Sequence, residues 1–78
     1  MRNIKLIWDF RGPVAKKTAD HHEIHLKEYI EREKISVIKT GTQEISEMHS
    51  IAFIAVPENL MIQLRDALKP HRGELYET

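Results

Sequence analysis

The sequence predicts a single α+β domain, a two-layer sandwich with two helices packed on one face of an antiparallel sheet. Three observations carry this prediction. Residues 4–10 and 48–56 are rich in apolar and β-branched side chains over strand lengths. Residues 13–33 and 57–69 repeat apolar residues at helical spacing. The chain is 78 residues long, which suits one small domain, 1–78, and leaves little room for two.

The elements follow in order. In Ile4-Lys5-Leu6-Ile7-Trp8-Asp9-Phe10, the residues Ile4, Leu6, Trp8 and Phe10 alternate onto one face, with Lys5 and Asp9 on the other, so this is a strand. Gly12-Pro13 opens a helix, with Pro13 at the first helical position, where its missing N–H costs nothing. The helix runs to about Glu33, and Ala15, Ala19, Leu26, Tyr29 and Ile30 form its apolar face. Ile35 to Thr40 reads as a second strand and Gly41 to Glu47 as a polar hairpin loop. Met48 to Val56 is the third strand and the most apolar segment. Pro57-Glu58-Asn59 starts a second helix, with an acidic residue where the helix dipole favours it. Leu60, Met61, Leu64, Ala67 and Leu68 are its buried stripe, and Lys69-Pro70 ends it. Arg72 to Glu77 is long enough for a fourth strand.

The order β-α-β-β-α-β, joined by short right-handed connections, favours the ferredoxin-like arrangement, with strands one and three central and two and four at the edges. The alternative is a looser α+β domain without the last strand.

Composition narrows the function classes. Hydrophobic residues at 41% and charged residues at 31% describe a folded chain, not a disordered one. The longest apolar run, Ile51 to Pro57, falls well short of the roughly 18 residues that suggest a membrane span. The N-terminus shows no secretory signal, so a cytoplasmic location is the expectation. The absence of cysteine removes disulfides, thiolate catalysis and cysteine-based metal sites. Twelve basic residues balance twelve acidic ones, so nucleic acid is not an expected partner. No cofactor is expected, because no phosphate-loop or dinucleotide-binding pattern occurs.

The third strand is apolar on both sides. Ile51, Phe53 and Ala55 lie on one face, and Ala52, Ile54 and Val56 on the other. A two-layer sandwich covers only one face of its sheet, so the second apolar face calls for another cover. A homodimer through the sheet face is the simplest, and a small domain gains most from the added burial.

Five histidines are the least ordinary feature. At about 100° per residue, His22 falls in the middle of the first helix's apolar face, with His25 beside it and His21 further round. His21 and His25 are one turn apart and are candidate metal ligands, with His49 as the third. His22 has an ordinary alternative as a packed core histidine, and His21 as a solvated surface residue. His71, near the second helix's C-terminus, suits the dipole there.

Asp9-Phe10-Arg11-Gly12 lies at the end of strand one, where a ligand-facing loop is favoured. Arg11 suits a carboxylate or phosphate. Asp9 with His22 or His25 would make an acid–base pair, and these are the candidate catalytic residues. Asp9, Arg11, His22, His25 and His49 form the candidate ligand-binding set. The alternative is a simple polar turn at Asp9 and Arg11.

The topology and the stretch His21-His22-Glu23-Ile24-His25-Leu26-Lys27-Glu28-Tyr29 resemble the dimeric α+β barrel superfamily, through His25-Leu26 and Tyr29. The resemblance implies a homodimer of ferredoxin-like units with a ligand cleft between sheet and helices, near Asp9, His22, His25 and His49. It leaves the reaction open, because members include enzymes and non-enzymes. The expectation is thus a small self-associating domain that binds a ligand or partner. A small acid–base enzyme and a histidine-based metal binder are the alternatives.

Overall fold

A computed structural model of the protein describes residues 2–77. It contains β1 (Asn3–Arg11), α1 (Ala15–Glu33), β2 (Lys39–Ser46), β3 (His49–Pro57), α2 (Glu58–Leu68) and β4 (Arg72–Tyr76). The sheet order is β2-β3-β1-β4 and every pairing is antiparallel. This is the ferredoxin-like βαββαβ sandwich, with the two most apolar strands in the centre. No helix among the described residues is long and apolar enough to cross a membrane.

The register decides which side chains meet the helices. Leu6, Trp8, Ala52, Ile54 and Val56 join Ala19, Leu26 and Leu64 in the main core, between sheet and helices. The fully buried Ala19 lets α1 approach the sheet closely. Fully burying a leucine such as Leu26 or Leu64 stabilises the fold by about 1.5–3 kcal/mol. The odd-numbered residues of β1 and β3 point the other way, where Ile7, Ile51 and Phe53 form a second, separate cluster.

The second strand differs from its sequence reading. The left-handed Lys34 ends α1, and the Ile35 N–H returns to Ile30 O at 3.0 Å. Ile35 and Val37 then pack partly buried against the main core as a connector. Pairing with β3 begins when the Ile38 N–H donates to Ala55 O at 2.8 Å. The polar residues 41–46, expected as a loop, are strand. An edge strand needs little burial, since backbone pairing with β3 carries it. Gly41 has a packing reason: a Cβ there would meet Phe53 Cζ at 2.8 Å.

Two smaller differences matter. The helix begins at Ala15, after a turn at Gly12-Pro13-Val14 in which Gly12 takes φ +112°. His49 pairs with Arg11, and Phe10 with Ser50. That register puts His49 with Ile51 and Phe53 on the sheet face away from the helices, a choice the two-sided apolar pattern of this strand leaves open.

The end of α2 and the turn leading into β4 are fastened to β1 by three bonds. Trp8 Nε1 donates to Leu68 O at 3.0 Å. The His71 N–H donates to Ile7 O at 2.9 Å. The Asp9 N–H donates to His71 Nδ1 at 2.8 Å, so in this bond His71 Nδ1 carries no proton.

Candidate functional site on the open sheet face

On the sheet face away from the helices, β1, β3 and β4 bring Asp9, His49 and Arg72 together. His49 Nε2 lies 2.8 Å from Asp9 Oδ1. Arg72 Nε reaches Asp9 Oδ2 at 2.9 Å and its Nη2 reaches Oδ1 at 3.2 Å, a two-pronged clamp. Arg72 Nη1 also lies 3.5 Å from Glu74. The Asp9 and His49 side chains are only 16% and 15% exposed, so their mutual contact is shielded from bulk water, whereas Arg72 is about half exposed.

The charges follow from this geometry. The Arg72 hydrogen bond holds the Asp9 carboxyl down from 3.8 to about 2; partial burial opposes the shift and the bond to His49 adds to it. Arg72 is pushed up in turn, chiefly by the same hydrogen bond to Asp9. An ionised carboxylate only accepts, so the proton in the Asp9–His49 bond sits on Nε2 of the imidazole. In the neutral form of the ring, Nδ1 then keeps the lone pair.

Beside this cluster lie Ile7, Ile51 and Phe53, which are 0%, 2% and 8% exposed. Lys5 Nζ sits 4.4 Å from the centre of the Phe53 ring, a cation–π contact. The open face is thus apolar at its base and charged at its surface.

The sequence-derived set is divided by the sheet. Asp9 and His49 are together, and Arg11 is exposed at the strand end, in register with His49. His22 lies on the helix side, its ring 5.1 Å from Trp8 and 5.4 Å from Phe10 between centroids. Its Nε2 is buried without a hydrogen-bond partner among the described residues, as is Ser50 Oγ. Burial, then the neighbouring His25 and His71, lowers the pKa of His22 and favours the neutral ring. His21 and His25 stack on the outer surface of α1 with centroids 4.8 Å apart, and His25 lies 3.5 Å from Glu28.

Asp9 therefore partners a strand histidine in place of His22 or His25. His49 lies across the sheet from His21 and His25, so the three do not converge on one metal ion. Among the described residues, no three His, Cys, Asp or Glu side chains are grouped to hold a metal. The cleft that the barrel resemblance implies, with Asp9, His22, His25 and His49 in one place, does not form within one chain.

Sequence reasoning missed Arg72 as the clamp on Asp9 and His71 as the acceptor of its N–H. Their signal was the fourth strand itself. Pairing it with strand one puts Arg72 opposite Ile7, diagonal to Asp9 on the same face.

Compared with known proteins, the chain matches no family model, no curated protein and no solved structure. The functional reading accordingly rests on the chemistry of the residues themselves.

Proposed function

We propose that the protein is a non-catalytic binding module whose open sheet face receives a second copy of the chain. One observation carries this reading: the face uncovered by helices holds an apolar cluster of its own, Ile7, Ile51 and Phe53, under a charge network already fixed in place. Fixed side chains lose little freedom on association, which lowers its cost. Lys5 and Glu74 stand opposite each other on this face, so opposite charges are available to a two-fold partner.

The isolated chain already seals most of the apolar cluster, so the pair is weak and exchanging, not obligate. Sedimentation velocity between about 10 µM and 1 mM tests this, a range set by the affinities typical of small interfaces. The expected result is a mass rising from 9.2 kDa toward twice that value with concentration. A mass of 9.2 kDa throughout would remove the reading.

The 2.8 Å Asp9–His49 contact favours a second reading, acid–base chemistry by His49. Asp9 would fix the tautomer and leave Nδ1 as the base. The imidazole ¹⁵N spectrum at neutral pH tests it: a protonated Nε2 with a bare Nδ1 is required, and the opposite tautomer ends this reading.

A further inference from the structure

The three glycines of this chain differ in why they are glycine. Gly12 has positive φ, and Gly41 makes room for the Phe53 ring. Gly73 has neither reason. Its backbone needs no special conformation, and a Cβ there would meet Leu6 and Ile4 at 3.5 and 3.7 Å, ordinary contact distances. A glycine inside a strand weakens it, and one use of such a position is to let another group approach.

Gly73 lines a cleft of about 440 Å³ between α2 and the β1–β4 edge of the sheet. That volume falls within the range of small-molecule sites. The cleft exists because α2 packs on β1 and β3 and leaves the helix-side face of β4 uncovered. Ile4, Leu6, Met61 and Leu75 line it, and Leu75 is 49% exposed although it points to the helix side. Arg2 and Arg65 also line it. Their acidic neighbours, Glu58 at 3.7 Å and Asp66 at 3.3 Å, are solvent-exposed partners, and such pairs hold their cations only weakly. Glu74 also borders the cleft but is engaged by Arg72 at 3.5 Å.

We propose that this cleft binds a small amphipathic carboxylate. Its apolar body would lie over Gly73 between Leu75 and Met61, and its carboxylate would meet Arg65. An apolar floor with guanidinium groups along its lining selects an apolar molecule with an anionic end, and the missing Gly73 side chain leaves the space for it. The floor of the cleft is on the opposite side of the sheet from Asp9, although Arg72 also lines the cleft, and the site does not depend on self-association.

Octanoate is the probe, with octylamine as the matched cation, each titrated into ¹⁵N-labelled protein. Octanoate is expected to shift the Gly73, Leu75 and Met61 amides saturably, and octylamine is not. Gly73→Leu fills the floor and should abolish the shifts while circular dichroism stays native. Arg65→Glu, an exposed change, should weaken octanoate at least tenfold. Equal binding of octylamine, shifts confined to other surfaces, or unchanged affinity in Arg65→Glu would overturn the proposal. So would an absence of shifts at millimolar octanoate.

Discussion

Asp9 and Arg72, 63 residues apart in the chain, form a two-pronged ion pair at 2.9 and 3.2 Å that ties the last strand to the first. The same carboxylate meets His49 from the third strand. One side chain thus joins three of the four strands on the open face.

Replacing Asp9 by Asn tests this joint. The amide keeps the shape but loses the charge, leaving Arg72 with only Glu74 as a charged partner and His49 with a poorer acceptor. Stability should fall by up to about 1 kcal/mol, because water screens the half-exposed Arg72 side of the pair. The dependence on pH has a definite sign. The folded pKa of about 2 lies below the ordinary 3.8, so the native state binds the proton more weakly than the unfolded chain. The stabilisation is complete above the ordinary value and disappears as pH falls through about 2. Melting curves of wild type and Asp9→Asn should therefore converge in acid. Curves separated equally at pH 7 and pH 2 would contradict the assignment.

His22 gives a second pH dependence. Its folded pKa is lowered, chiefly by burial, so the native state prefers the neutral ring. Its contribution is present above the unfolded value near 6.5 and is lost as pH falls through the lowered folded value. His22→Leu should remove this slope and be neutral or stabilising, because it replaces a buried, unpartnered Nε2 with apolar contact against Trp8 and Phe10. Chemical denaturation at pH 7.5 and 5 measures both effects.

The glycines should separate on substitution. Gly41→Ala forces the Phe53 ring out of its seat, since the new Cβ would lie 2.8 Å from Cζ, and should cost about 1–3 kcal/mol, as overpacking does. Gly73→Ala meets only ordinary contacts and should be neutral or stabilising by up to about 1 kcal/mol, through the reduced freedom of the unfolded chain. Urea midpoints of the two variants, compared with wild type, check the contrast.

Trp8→Phe keeps the ring in the core but removes the indole donor to Leu68 O. A loss of about 0.5–1.5 kcal/mol for the bond is expected, plus the volume lost with the smaller ring. Amide exchange should rise first in β4, which leans on that fastening.

The fold was largely legible in the sequence because its two central strands and both helices announce themselves by period. Alternation in Ile4–Phe10 and the helical repeat of Ala19 and Leu26 report burial on one side directly. Edge strands carry no such signature. Ile35 and Val37 look like a strand because they alternate, yet they are a connector pressed on the core, while the polar 41–46 pairs with β3. The site was legible in part. Asp9 and His49 could be named as functional types, but their partnership depended on which face of the third strand meets the helices, and apolar residues on both its sides leave that open. His22 and His25 were drawn toward Asp9 by proximity along the chain, and the sheet stands between them.

The claim that the open sheet face is the contact surface for a second copy is tested most directly by a dilution series of ¹H–¹⁵N spectra. On concentration, the account predicts progressive shifts at Lys5, Gln43, Phe53 and Arg72, with the outer surfaces of α1 and α2 unchanged. Spectra identical at all concentrations, or shifts confined to the helices, would contradict it.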